Sequence, residues 1–550
     1  MSEKITTSLR ESAAARWTAL ILLAFAMFCS YIFMDILSPI KSLLESTRGW
    51  DSVAFGTYGG SETFLNVFIF FLIFAGIILD KMGVRFTAIL SGIVMLVGAV
   101  INWHAVTEAF IGSGLEKWFT NNLNYIPLFD ELGVSPFYRG MPASAKLAAV
   151  GFMIFGCGVE MAGITVSRGI VKWFRGKEMA LAMGSEMALA RLGVATCMIF
   201  SPVFANMFGK PDVSRSVAFG VILLMVALIM FIVYFFMDKK LDAQTGEAEE
   251  KDDPFMIRDI GKILSSSGFW LVAMLCVLYY SAIFPFQKYA VNMLQCNLGI
   301  SDSTTTSIGQ QVMTFGIMLI VAITAFASNF SKKKALKTSL LLCSIIFLLI
   351  YCYLVYKQKS AGAIFSVFPL LAVGITPILG NYIDKKGKAA TMLIFGSLLL
   401  IICHLTFAFL LPMFRPETGE VASVGGFILA FVTILVLGAS FSLVPASLWP
   451  SVPKLVDSKV IGSAYALIFW IQNIGLWLFP MLIGRILNAS NQDIINDESL
   501  TVAQKSVMYD YTNPLLMLAL LGVAAFILGL ILKVVDKKNG IGLELPNIKD

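Results

Sequence analysis

The sequence predicts an all-α protein that crosses a membrane fourteen times, and three observations carry that prediction. Its 550 residues are 58% hydrophobic and 14% charged, against about 45–50% apolar and about 25% charged in soluble domains. Apolar windows of about twenty residues, the length that spans a bilayer, recur from end to end, and the mean hydropathy is +0.82. Lysine and arginine gather on alternate connections between the windows, as on the cytoplasmic faces of membrane proteins.

In chain order the windows fall at 17–44, 53–79, 86–103, 146–171, 178–207, 214–237, 268–293, 310–328, 336–356, 361–383, 389–411, 425–448, 460–487 and 513–533. The first opens at Arg16 and runs on to Leu37 without a small-residue cleavage site. It is too long for a signal-peptide core and reads as a retained helix. The basic turns DKMGVR (80–85), KWFRGK (172–177), SKKKALK (331–337), DKKGK (384–388) and DKK (536–538) mark one face as cytoplasmic and place both termini there. Residues 1–237 then form a first six-pass bundle and residues 268–550 a second. The seam at 238–267 opens with the polar stretch LDAQTGEAEEKDD and continues as PFMIRDIGKILSS, an amphipathic segment suited to the membrane interface. Residues 104–144 form a mildly acidic outer loop in which Trp118, Phe119, Tyr125 and Phe137 are expected to pack together.

Several function classes fall away. The net charge of +6 belongs to the turns, and no basic patch points to nucleic acid. The eight cysteines lie mostly inside apolar runs, which argues against a disulfide framework. No zinc spacing, P-loop or nucleophile–base pattern occurs, and the histidines are two, His104 and His404. No metal, cofactor or enzymatic activity is therefore expected. The partners to expect are the lipid bilayer and a small solute, with a monomer as the working state.

A turn is repeated. GIILDKMGVRFT, from Gly76, matches GNYIDKKGKAAT, from Gly380, at Gly76/Gly380, Asp80/Asp384, Lys81/Lys385 and Gly83/Gly387, and Arg85 adds a cation to the first copy. Glycines suit a tight turn and a close approach of helices, and the acid can cap a neighbouring helix N-terminus. Parallel repeats of six helices mark one transporter architecture.

This motif resembles the turn between the second and third helices, repeated between the eighth and ninth, of the major facilitator superfamily. The resemblance implies two six-helix bundles. Here the second copy closes the tenth span, so residues 304–358 are expected to be an inserted hairpin at the periphery. Further stretches resemble the lysosomal dipeptide transporter branch of that superfamily: SYIFMD (30–35), GCGVE (156–160), KWFRGKEMALAMGSEMALARLG (172–193), YYSAIFPF (279–286), SLVPASLWPSVPKLV (442–456) and IGSAYALIFWIQNIG (461–475). That implies a transporter of dipeptides by alternating access, as a uniporter or with protons. It also carries a fourth-helix acid, a fifth-helix arginine and a first-helix aspartate onto Glu160, Arg191 and Asp35. Glu186 departs, since a neutral polar residue is expected there.

The charges themselves lead the same way. Glu160 lies twelve residues above Lys172, and Arg191 fourteen beyond Lys177. At about 1.5 Å per residue both sit roughly 18–21 Å from the cytoplasmic end, at a common depth. An ion pair fixing helix packing is one reading. The other is a clamp for a zwitterion, because intramembrane charges commonly line a substrate path and arginine's planar fork suits a carboxylate. The second half reads as nearly uncharged at this depth. It offers Tyr279, Tyr280, Gln287, Trp449, Trp470, Gln472, Asn473 and Trp477 as aromatic and amide walls. Glu62 reads as solvated, and His404 as structural. A proton-linked carrier of organic anions or sugars, and a receptor that only binds, are the rival readings. With no acidic dileucine signal near the N-terminus and no N-x-[ST] sequon in the outer loop, a bacterial inner membrane is the expected location.

Overall fold

In the computed structural model, residues 8–546 are described, apart from 134, 246–256, 301–307, 330, 332, 418 and 457–460. Helices account for most of them. The first half comprises α1 (Ala13–Met34), α2 (Lys41–Arg48), α3 (Ser52–Phe68), α4 (Phe71–Val106), α5 (Gly114–Asn121), α6 (Ala143–Phe174), α7 (Met179–Ala205) and α8 (Val213–Thr245). After α9 (Ile257–Leu264) come α10 (Ser267–Leu298), α11 (Ile308–Ser328), α12 (Lys334–Gln358), α13 (Ala361–Phe365), α14 (Val367–Lys386) and α15 (Ala389–Leu405). The chain ends with α16 (Val424–Leu448), α17 (Val452–Leu455), α18 (Ile461–Ser490), α19 (Gln492–Ile495), α20 (Val502–Lys505) and α21 (Thr512–Asn539).

Among the described residues, thirteen helical stretches are long and apolar enough to cross a membrane. One of them, α4, contains two passes, because Gly83 breaks its helical geometry with φ 78°. Its residues 71–82 continue α3 to complete the second pass, and 84–106 form the third, which makes fourteen. Gly387 does the same work between α14 and α15 at φ 74°. A Cβ on Gly387 would lie 2.3 Å from the Glu544 carbonyl oxygen. These are the two turn glycines of the repeat, and each needs the left-handed backbone that glycine alone adopts cheaply. Hydroxyl and carboxylate caps start other helices: Asp51 Oδ1 accepts from the Ala54 amide at 2.7 Å for α3, and Ser266 Oγ from the Phe269 amide at 3.3 Å for α10.

The fold is that of two six-helix bundles with an inserted hairpin. In the first, α4 lies along α6 and α8, and α1 along α7 and α8. In the second, α15 lies along α16 and α21, and α10 along α18 and α21. The bundles meet where α3 packs on α18 and α7 on α14. The hairpin α11–α12 leans on α14 and α7 through α11, while α12 leaves apolar side chains outside, Leu349 at 65% exposure among them. Such a face suits lipid. Residues 301–307, where the predicted hairpin begins, and much of the polar stretch at 241–253 lie outside the described residues. α9 rests against α10 and α18.

The outer loop is ordered around a lysine. Lys146 Nζ donates to the carbonyls of Phe119 and Asn122, each at 3.1 Å, and to Asn124 Oδ1 at 2.7 Å. Phe119 and Phe137 are buried as expected, but Trp118 and Tyr125 are half or more exposed. The ring that joins the loop to the bundle is Phe129, 5.5 Å from Phe64 and 5.2 Å from Phe68. All eight cysteines are free.

Candidate functional site

A cavity of about 1530 Å³ runs from mid-depth to the end of the basic turns. Asp35, Glu62, Glu160 and Arg191 line its inner part, and Asp80, Lys172, Arg175 and Asp384 its mouth. At the opposite end the bundles are sealed. Gly56 and Gly60 of α3 sit so tightly on α18 that a Cβ on either would come within 2.3 Å of the Pro480 or Trp477 carbonyl oxygen. Tyr289 of α10 donates its hydroxyl across the same seal, 3.1 Å from the carbonyls of Ser52 and Pro480.

Glu160 and Arg191 face this cavity without pairing. Glu160 Oε1 accepts from Asn473 Nδ2 at 3.1 Å. The Arg191 guanidinium lies over three rings, 4.7 Å from Phe441, 5.1 Å from Phe284 and 5.7 Å from Tyr31. Among the described residues no carboxylate comes within 4.0 Å of it. The packing ion pair considered from sequence is therefore not formed. The rings attract the cation, and Arg191 donates no side-chain hydrogen bond to another of the described residues.

Asp35 caps the end of α1. Its carboxylate accepts from Gln287 Nε2 at 2.5 Å and from Ser38 Oγ at 3.3 Å, with Lys288 Nζ at 3.8 Å. Lys288 is the residue that sequence reading missed. It projects from the second bundle between two acids of the first, 3.4 Å from Glu62 Oε2, and over the Phe152 ring at 5.3 Å. Two expectations are corrected. The second half does carry an intramembrane charge, and Glu62 is paired with Lys288 and only 12% exposed, not solvated. The signal was available, since a lysine inside the apolar run LYYSAIFPFQKYAV is as costly as Glu160 in its own.

Of the other predicted wall residues, Tyr280, Gln287, Trp449, Gln472 and Asn473 line the cavity. Trp449 Nε1 donates to the Tyr280 hydroxyl at 3.1 Å, and Cys276 Sγ to Gln472 Oε1 at 3.2 Å. Tyr279 and Trp470 do not line it. Tyr279 is fully buried, with its hydroxyl on the Leu393 carbonyl. Trp470 stacks on Phe70 at 5.1 Å and donates its indole N–H to the Val67 carbonyl at 2.9 Å. Trp477 meets Phe68 edge-on at 5.0 Å within the seal. His404 is buried with Nδ1 2.9 Å from the Leu400 carbonyl, and Phe286 lies 5.3 Å from its ring. The hairpin contributes Phe326 to the cavity wall.

At the repeated turns, Asp80 does not cap a helix. It pairs with Arg168 at 2.5 Å. Arg85 pairs with Asp242 at 2.8 Å, and Lys172 reaches Asp238 at 2.6 Å and Asp242 at 2.7 Å. Asp238, fully buried, also accepts from the Trp173 indole at 2.8 Å and the Tyr234 hydroxyl at 3.2 Å. In the second copy Glu544 caps α15, accepting from the Thr391 amide at 2.8 Å. Gly76 and Gly380 line the cavity, and a Cβ on either would meet nothing within 4 Å, so close helix approach is not their task. Lys81 and Lys385 are exposed. Replacing Asp238 by Ala leaves Lys172 with Asp242 alone and takes the acceptor from the buried Trp173 indole. It is expected to lower unfolding stability in detergent by about 1–3 kcal/mol, and an unchanged stability would contradict the account.

The family model of the Major Facilitator Superfamily matches residues 23–358. The lysosomal dipeptide transporter MFSD1 of Danio rerio is 23% identical over 491 residues, covering 86% of this chain and 81% of the relative. Its Homo sapiens counterpart is 22% identical over the same coverage. A crystal structure of the nucleoside transporter NupG superposes with a TM-score of 0.59 at 12% identity, covering 94% of this chain and 98% of that one. That likeness shows the fold.

Proposed function

Because the chain belongs to the major facilitator superfamily, we propose that it is a secondary transporter of dipeptides that works by rocking one six-helix bundle against the other. One observation carries the reading. Glu160 and Arg191 present opposite, mutually unpaired charges to one cavity, which is what the two ends of a zwitterion require. The relatives named as dipeptide transporters support the substrate class.

The substrate's ammonium sits at Glu160, beside the Asn473 amide, and its carboxylate takes the two edge donors of Arg191. Tyr280, Trp449 and Gln472 form a wall that tolerates varied side chains. With the basic turns on the cytoplasmic side, the cavity opens to the cytoplasm, and both termini lie there. The protein works as a monomer in a bacterial cell membrane. When the bundles rock, the α3–α18 seal parts, the mouth closes over the Asp80 and Asp384 turns, and Lys288 leaves Asp35 and Glu62.

The position of Lys288 between Asp35 and Glu62 favours keeping a second reading, a proton-linked carrier. Two acids that lose their shared lysine can take up a proton, and a proton-linked carrier of organic anions or sugars would use the same device. Uptake of a labelled dipeptide by liposomes holding the purified protein, with and without a pH gradient, tests both. Saturable dipeptide uptake is expected. Its absence, with uptake of an organic anion or sugar instead, would overturn the proposal.

A further inference from the structure

The inner turn of the hairpin α11–α12 differs from the other four basic turns. DKMGVR, DKKGK and DKK each contain an aspartate, and KWFRGK is followed by Glu178. SKKKALK contains no acid, and none occurs anywhere between Asp302 and Asp384. Elsewhere on this face the protein answers its cations from within, Arg168 with Asp80, Arg85 with Asp242, Lys172 with Asp238 and Arg16 with Glu178. In the hairpin turn Lys333 and Lys334 are exposed and Lys337 is half-buried. Among the described residues none of these three side chains has an ion pair, a hydrogen bond or a ring beneath it.

The lysines do not serve their own helix. Lys333 precedes α12 without capping it, and Lys334 opens its first turn, where positive charge opposes the helix dipole. The lysines at the outer end of the hairpin are placed differently. Lys357 Nζ lies 5.6 Å from the Tyr353 ring, and Lys359 Nζ 4.1 Å from Tyr356 and 4.2 Å from Phe427. Above the inner lysines, α12 turns an apolar face of Leu342, Ile345, Ile346 and Leu349 outward, all exposed. Lys334 stands eleven residues before Ile345, which is about 20° round the helix and about 16 Å along it. That length is about half of the roughly 30 Å hydrocarbon core. The surface therefore fits a molecule with an anionic head and an apolar tail one leaflet long.

We propose that the inner end of the hairpin binds an anionic phospholipid of the cytoplasmic leaflet. The headgroup phosphate takes Lys333, Lys334 and Lys337, and the acyl chains lie on the exposed face of α12. Polybasic segments just cytoplasmic of a membrane helix attract such lipids by charge, and the apolar face holds the tail. This surface lies outside the cavity and does not depend on the dipeptide reading.

The test uses the purified full chain, stripped of lipid in detergent, with native mass spectrometry of its first bound lipid. The probes are phosphatidylglycerol and phosphatidylcholine with the same acyl chains. Wild-type protein is expected to take phosphatidylglycerol about tenfold more tightly than phosphatidylcholine. In Lys333→Gln/Lys334→Gln/Lys337→Gln the ratio falls to about two or below, whereas Lys357→Gln/Lys359→Gln keeps it. Glycerophosphoglycerol, the same headgroup without chains, is expected not to compete even in large excess. A photo-crosslinking phosphatidylglycerol locates the site on wild-type protein, with label expected between Leu336 and Leu349. Lysines that only orient the hairpin give a wild-type ratio near one, which overturns the proposal. So does a triple variant that keeps the ratio, an outer pair that loses it equally, competition by the soluble headgroup, or label that falls only elsewhere. Should the triple variant not fold, the crosslink on wild-type protein decides.

Discussion

Glu160→Gln and Arg191→Lys are each expected to reduce dipeptide uptake at least a hundredfold while leaving the folded protein in the membrane. Gln keeps the size of Glu160 and its contact with Asn473, 3.1 Å away, but removes the charge that meets the substrate's ammonium. Lys keeps the charge of Arg191 and removes its planar fork, which both lies over Phe441, Phe284 and Tyr31 and offers two parallel donors to a carboxylate. Leaving one partner of a buried pair uncompensated costs about 3–5 kcal/mol, and about 1.4 kcal/mol is tenfold in affinity. Neither residue holds an ion pair with another described residue, so neither substitution leaves a partner charge stranded within the protein. Uptake assays with equal amounts of reconstituted protein check this. Wild-type rates in either variant would remove the clamp from the account.

Gly60→Leu is expected to abolish transport by a different route. A Cβ at Gly60 would lie 2.3 Å from the Trp477 carbonyl, and the side chain beyond it would run into Met481. Backbone cannot yield there without parting α3 from α18, and overpacking of this kind costs about 1–3 kcal/mol or more. The seal therefore fails to close and the cycle stops with the bundles apart at that end. Gly316→Leu on the hairpin is the matched control, because nothing lies within 4 Å of its Cβ. The pair is compared by liposome uptake and by dipeptide binding in detergent. Lost uptake with retained binding is expected for Gly60→Leu alone, and undiminished uptake by it would contradict the assigned seal.

The passes and their turns were legible in the sequence because they follow from one-dimensional quantities, namely hydropathy, basic turns and the glycines of a repeated motif. Gly83 and Gly387 stand where the repeat placed them, both at positive φ. Glu160, Arg191 and Asp35 were legible as isolated charges in apolar runs. Lys288 carried the same signal and was overlooked, because its run was read for aromatic and amide groups. What could not be read from one dimension is pairing. Nothing in NVFIFFLIF announces the break at Ile69 and Phe70. It is supported by Trp470, four hundred residues away, whose indole occupies the Val67 carbonyl that a continuous helix would bond internally. The same contact draws Trp470 out of the cavity wall. Tyr279 leaves it for the Leu393 carbonyl in a like manner. Aromatic residues at helical spacing say that a wall exists, and only tertiary hydrogen bonds decide which of them face it.

Competition by blocked dipeptides tests the zwitterion clamp most directly. N-acetylation removes the cation that Glu160 receives, and C-amidation the anion that Arg191 receives, while side chains and the peptide bond stay in place. Measured against a labelled free dipeptide on purified wild-type protein, each blocked form is expected to compete roughly a hundredfold less well than its free parent. Equal inhibition by blocked and free dipeptides would contradict the account.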